Sequence, residues 1–162
     1  MFGLAGTKTI VTVGEMLVEF ISHDRNCALE KISDYSGPYP SGAPAIFLDQ
    51  VARMGAPTEM IGGVGDDGFG LSVLNRLKED GVGTDGVTVS PNLSTGVAFV
   101  SYYDSGDRDF IFHLAGTAAD AFDVPLSLLD PKNTFLHVSA SSLGAASMRD
   151  KIMEVVRSVS DG

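Results

Sequence analysis

Two glycine turns and two groups of oxygen-bearing side chains are where this chain could do chemistry. The first turn, Ser41-Gly42-Ala43-Pro44, opens a stretch in which Phe47, Leu48, Val51, Ala52 and Met54 follow a helical stripe. The second, Gly62-Gly63-Val64-Gly65-Asp66-Asp67-Gly68, opens another with Val73, Leu74 and Leu77. Backbone N–H groups at a helix start have no partner inside the helix and can meet a ligand. Glu15 and Glu19 follow one short β-branched run, and Ser139, Ser141 and Ser142 follow another. Open α/β sheets bind ligands at the carboxyl ends of their strands, so these oxygens could hydrogen-bond a polyol. A plainer role stands beside each. Glu15 is read as an ordinary solvated acid, both roles stay open for Glu19, and serines suit such loops for turn chemistry alone.

Gly63, Gly65 and Gly68 also fit G-x-G-x-x-G, the dinucleotide-binding spacing, with Asp85 further on. Asp66 and Asp67 would then face a pyrophosphate, an unfavourable like-charge contact. Such a loop normally follows a fold's first strand, whereas an earlier strand and helix precede this one. An oxidoreductase domain binding NAD therefore rests on spacing alone. Another reading makes Gly63-Val64-Gly65-Asp66 an anion-hole loop with Asp66 as base. The reading adopted is that Asp66 or Asp67 caps a helix from about Phe69 to Asp80.

The elements that must position these residues come from 162 residues, 44% of them hydrophobic, enough for one modest domain with a core. The formal net charge of -10 disfavours nucleic acid and anionic membrane. Cys27 is the only cysteine, so an intrachain disulfide and a CxxC zinc site are excluded, and no metal ligands are assigned. The N-terminus lacks the pattern of a secretory leader. No run approaches the roughly 20 apolar residues of a membrane span. A reducing cytoplasm is the expected location.

Thr9 to Val13 reads as a strand buried on both faces of a parallel sheet, and Leu17 to Ile21 as a second strand. A further strand is expected near Ala28 to Ile32. Pro44 suits a first helical turn, Gly55 a left-handed helix end, and Pro57 a stop. Thr58 to Ile61 reads as a strand ended by Gly62, and Gly81 stops the second helix. Gly86 to Val89 reads as a short strand. Thr95 to Tyr103 and Arg108 to Leu114 flank Asp104-Ser105-Gly106-Asp107, a β-hairpin pattern. Phe110, Phe112 and Leu114 share one face of it, Ile111 and His113 the other. Apolar residues on both faces call for cover: a lid over a ligand, an edge shared with a second subunit, or plain core packing. Pro125 to Asp130 reads as a helical turn and Thr134 to Ser139 as another buried strand, with His113 and His137 structural. A last helix starts with Ser147 as its cap and Met148, Ile152, Val155, Val156 and Val159 as its apolar face. Alternating strands and helices with an inserted hairpin predict an α/β sheet with a smaller β lid. That apolar helix face needs a sheet beneath it, and the expected next strand does not follow. The chain therefore reads as the first part of a larger domain.

Gly14-Glu15, Ser41-Gly42-Ala43-Pro44-Ala45, Arg53-Met54-Gly55, the run Ile61 to Gly70, Gly81-Val82, the hairpin Thr95 to Leu114, Ala115 to Asp120 and His137 to Gly144 resemble the N-terminal half of ribokinase (PfkB) family carbohydrate kinases. The fructokinase and 2-keto-3-deoxygluconate kinase branch is the most similar. The resemblance covers nearly the whole chain. It implies a ribokinase-like α/β fold, a partly parallel sheet flanked by helices with a small β-hairpin lid and an incomplete C-terminal part. Residues 1–162 would be the N-terminal part of one such domain, with lid segments near 15–40 and 95–115. It implies a sugar between sheet and lid, and transfer of the γ-phosphoryl group of ATP to a sugar hydroxyl with Mg²⁺, the nucleotide site mostly outside this chain. Glu19, Ser41, Gly42 and Ala43 would contact the sugar, with Ala98, Phe112 and Leu114 closing over it.

The family's catalytic base belongs to the absent C-terminal part, so no catalytic residue is assigned and the chain alone is expected to be inactive. The family's glycine pair is Ser41-Gly42 here, its sugar-binding Asn falls on Ile46, and its usual Asp on Glu19. The lid Arg that meets a substrate carboxylate in keto-deoxygluconate kinases falls on Leu114. The competing expectation is an inert protein of the same fold that binds a sugar or pairs with a second copy through the lid hairpin.

Overall fold

The computed structural model describes residues 8–160; residues 1–7 and 161–162 of the expected domain, including the N-terminus read for a leader, lie outside the described residues. Eight strands and three α-helices follow in order: β1 (Thr9–Val13), β2 (Leu17–Ser22), β3 (Tyr35–Ser41), α1 (Ala43–Arg53), β4 (Thr58–Gly65), α2 (Gly68–Asp80), β5 (Val87–Ser90), β6 (Gly96–Tyr102), β7 (Arg108–His113), β8 (Thr134–His137) and α3 (Ala146–Ser160). Short 3-10 turns occupy Leu126–Leu128 and Ser141–Leu143.

The strands form two sheets. One has the order β5-β4-β1-β8, and all its pairs are parallel. Parallel strands must be covered on both faces, and alternate residues of β4 show how. Met60 and Val64 belong to a core with Leu48 of α1 and Val73 and Leu77 of α2. Ile61, between them, points to a second core with Val11 and Val13 of β1 and Met148, Ile152 and Val155 of α3. Helices α1 and α2 therefore cover one face, and α3 the other. The second sheet has the order β3-β2-β6-β7, with β2 parallel to β6 and the outer strands antiparallel.

The helix ends follow the expected chemistry. Pro44 lies in the first turn of α1, and Gly55, with φ 90°, follows its last residues. Gly81 ends α2 in the left-handed conformation at φ 86°. Asp67, not Asp66, caps α2: its carboxylate accepts the Gly70 N–H at 2.8 Å. It also accepts the Thr95 N–H and hydroxyl, each at 2.8 Å, tying α2 to the start of β6. Burial alone would raise the Asp67 pKa, but these donors outweigh it and hold the carboxyl below the usual range.

Four expectations need correction. Residues 28–32 form no strand; β3 starts at Tyr35 and runs through Pro38 and Pro40. Its edge position tolerates residues that lack an N–H. Strand β4 does not end at Gly62 but continues to Gly65. The dinucleotide spacing is thereby dissolved: a Cβ on Gly63 would stand 2.1 Å from the Ala118 carbonyl oxygen, and the Gly65 N–H donates to the Thr95 hydroxyl at 2.9 Å. Packing against the protein's own backbone explains these glycines. Ser147 does not cap α3, which begins at Ala146; its hydroxyl instead donates to Asp120. Of the three covers expected for the lid strand β7, plain core packing is excluded, because the strand is exposed along its whole length.

Candidate functional site

Strands β1 and β8 are parallel neighbours, so their carboxyl ends open at the same edge. There the connection after β1 meets the connection after β8. Glu15, expected as a solvated acid, is 7% exposed. Its two carboxylate oxygens accept hydrogen bonds from the hydroxyls of Ser141, at 2.7 Å, and Ser142. With the Ser141 hydrogen committed to Glu15, the Ser139 hydroxyl, 2.8 Å away, is the donor to Ser141. Buried carboxylates need such donors. Gly14 makes the approach possible, since a Cβ there would lie 2.5 Å from the Ser142 hydroxyl oxygen. The Ser41-Gly42-Ala43 turn backs onto the same place: a Cβ on Gly42 would lie 2.5 Å from the Glu15 carbonyl oxygen.

Glu15, Ser141 and Ser142 form one wall of a cleft of about 490 Å³. Phe112, Leu114, Ala115 and Ala119 face them, and Asp120, Gly144, Ala145, Ser147 and Met148 complete the lining. Of the residues expected to contact a sugar, Phe112 and Leu114 line this cleft directly. Glu19 and Ala98 do not line it, although they share a cross-strand row with Phe112. The strand register places Tyr39, Glu19, Ala98 and Phe112 side by side on one face of the second sheet. Ala98 is fully buried, which keeps that row flat, while Phe112 is 53% exposed and stacks on Phe110. Leu114 covers Gly96 in the next row, where a Cβ would meet its Cδ2 at 2.7 Å. Ser41, 5% exposed, Gly42 and the exposed Ala43 do not line the cleft.

Sequence reasoning weighed Glu15 as a polyol contact but preferred a solvated acid, and gave Asp120 no role. The Glu15 partners lie 126 and 127 residues away, so local pattern carries no trace of them. Asp120 accepts from Ser147 in the first turn of α3, where a carboxylate complements the positive end of a helix. Lys151 donates to the carbonyl oxygens of Asp120 and Phe122 at 3.0 and 2.7 Å and lies over the Phe122 ring.

Of the two histidines expected to be structural, His137 is packed and His113 is exposed on β7. His137 stacks on Phe47 with centroids 3.7 Å apart, and burial lowers its pKa. His113 meets Phe99 edge-on. A second groove, of about 270 Å³, runs past Tyr39, Ile46, Asp49, Arg53 and Arg76. Ile46 thus lies outside the Glu15 cleft. Ion pairs join the charges of this groove: Arg76 sits 2.8 Å from Asp80 and 3.8 Å from Asp49, and Arg53 3.8 Å from Asp80, while the buried Asp49 Oδ1 and Asp80 Oδ2 accept no hydrogen bond among the described residues. Burial, then the neighbouring Asp80, raises the Asp49 pKa against both arginines. That network links α1 to α2; the larger strand-end cleft, which holds Phe112 and Leu114, is the candidate site.

Residues 7–160 match the family model described as pfkB family carbohydrate kinase. The chain is 36% identical over 110 residues to probable fructokinase-5 of Arabidopsis thaliana, a match that covers 68% of this chain and 34% of that protein. It is 32% identical over 155 residues to a fructokinase of Solanum tuberosum, covering 91% of this chain and 48% of that one. Among solved structures, a candidate ribokinase II from E. coli in complex with ATP and Mg²⁺ superposes with a TM-score of 0.84 at 40% identity, over 95% of this chain and 50% of that chain. The fructokinase of Halothermothrix orenii shares the fold, with a TM-score of 0.83 at 22% identity over 94% of this chain and 54% of that chain. The chain spans half or less of the curated relatives it matches.

Proposed function

The chain belongs to the pfkB family of carbohydrate kinases, and on that premise we propose that it supplies the sugar-binding and lid part of a kinase that moves the γ-phosphoryl group of ATP to a sugar hydroxyl. The observation that carries this reading is the cleft at the carboxyl ends of β1 and β8, with Glu15 and its serines on one wall and Phe112 and Leu114 on the other. A carboxylate and hydroxyls suit the hydroxyls of a sugar, and an aromatic face suits its C–H surface. Similarity to plant fructokinases supports a ketohexose such as D-fructose as the first sugar to try. Ile46 offers no side-chain hydrogen bond, so the polar contacts fall to Glu15, Glu19 and the serines.

The residues present do not fit the nucleotide. Among the described residues no group of three or more His, Cys, Asp or Glu side chains could hold a metal ion, and no Lys or Arg lines the cleft. A triphosphate and its Mg²⁺ need such charges. In this reading ATP is held by residues outside the cleft, and no residue of this chain is the base that takes the hydroxyl proton. The single cysteine supports a reducing compartment such as the cytoplasm.

The test is sugar-dependent ADP release by the purified chain, alongside NMR-detected binding of D-fructose. Binding without turnover is expected. Turnover by this chain alone would overturn the division of labour, and absence of sugar binding would overturn the site.

One observation favours a second role. Strand β7 ends its sheet, and Phe110, Ile111 and Phe112 are 39%, 42% and 53% exposed. An open edge with apolar side chains is a template for another strand. Pairing of two copies through this hairpin, with or without catalysis, predicts a dimer in sedimentation that Ile111→Lys returns to monomer.

A further inference from the structure

We propose that Glu15 and Asp120 make this cleft select uncharged sugars and reject sugar acids and sugar phosphates, with Glu15 the main specificity determinant. The inference rests on the sugar-binding reading above and names the substrate class of the same site.

Among the described residues, two carboxylates line the cleft and no Lys or Arg does. Glu15 is buried, and both of its oxygens are occupied by serine donors. The serine hydroxyl chain Ser139 to Ser141 to Glu15 therefore points its hydrogens at Glu15 and not at an incoming anion. One feature would ordinarily favour an anion, the N-terminal turn of α3. That turn already has one: Asp120 accepts from Ser147 within it. Lys151, the nearby cation, donates to two backbone carbonyls and lies over the Phe122 ring. The lid contributes Phe112 and Leu114, which carry no charge. An anionic ligand would thus lose its hydration beside two like charges, a cost an uncharged polyol does not meet.

The experiment measures the affinity of the protein for D-fructose, D-gluconate and D-fructose 6-phosphate by NMR titration, in the wild type, Glu15→Gln and Asp120→Asn. The wild type is expected to bind D-fructose at least about tenfold more tightly than either anion, the scale of one like-charge pair at this range. Each variant is expected to narrow that ratio severalfold, Glu15→Gln the more, by strengthening anion binding. That gain is a change which loss of packing would not produce. Equal wild-type affinity for D-fructose and D-gluconate overturns the inference while leaving the sugar site standing. Ratios unchanged in both variants overturn the assignment to these carboxylates. If the wild type binds none of the three, the sugar reading itself falls and the inference with it.

Discussion

Strand β4 of the parallel sheet and strand β7 of the second sheet both carry large apolar side chains, yet they are treated in opposite ways. Met60, Ile61 and Val64 of β4 are fully buried between helices on both faces. Every residue of β7 is exposed, although Phe110, Ile111 and Phe112 are as apolar as any in the core. The contrast teaches that apolar pattern alone does not say what a strand is for. Where both faces are covered, side chains contribute stability. Where they are left open, the same residue types are available to a ligand or a second copy. The cleft lies where the two regimes meet, with a rigid floor of strand ends and an open aromatic roof.

The largest effect that would sharpen this contrast comes from truncation in β4. Ile61→Ala should cost about 2–5 kcal/mol of unfolding free energy in urea titrations. A cost below about 1 kcal/mol would break the contrast from the buried side. Gly63→Ala should follow, at about 1–3 kcal/mol, because the new Cβ would meet the Ala118 carbonyl rather than a side chain that can move.

What was legible in the sequence divides along the same line. The helices of the covered layer were readable because their stops are local: Pro44 and Gly55 bound α1, and Asp67 and Gly81 bound α2. Strands β1 and β8 were readable as short β-branched or apolar runs, but β8 is not the buried strand expected: it stops at His137 and Phe135 is 58% exposed. Strand β3 was not, because Gly37, Pro38 and Pro40 signal a turn, and only pairing with β2 makes that segment extended. Gly62 to Gly65 read as a loop for the same reason, though close packing of backbone explains those glycines. The lid row of Glu19, Ala98 and Phe112 was assembled from a family resemblance, and the strand register places the three together. Glu15 was read as a solvated acid because the hydroxyls that bury it lie at the far end of the chain.

A smaller effect tests the joint between the two sheets. Asp67 caps α2 and holds Thr95 at the entry to β6. Asp67→Ala should cost about 1–2 kcal/mol at neutral pH, the usual value of a lost cap. The folded-state pKa of Asp67 lies below its unfolded value, so its contribution is fully present above about pH 4 and is lost as pH falls through the folded pKa. The stability difference between wild type and variant should therefore shrink on acidification from pH 5 to pH 2. A difference that stays constant would mean that the carboxylate's charge is not what holds the joint.

The smallest effect on stability should come from the roof. Phe112 is 53% exposed and Ile111 42%, so Phe112→Ala should change unfolding free energy by less than about 1 kcal/mol, near the range of ordinary surface substitutions. Its effect on D-fructose affinity should be larger than its effect on stability, because its exposed ring surface faces the cleft. Ile111 lies on the opposite face of the same strand, so Ile111→Ala should leave the sugar affinity unchanged. The pair separates the uses of one exposed strand. If Phe112→Ala destabilises the fold as Ile61→Ala does, β7 belongs to the core despite its exposure. If both β7 variants leave sugar binding intact, the roof serves the second copy and the ligand is held by the strand-end floor alone.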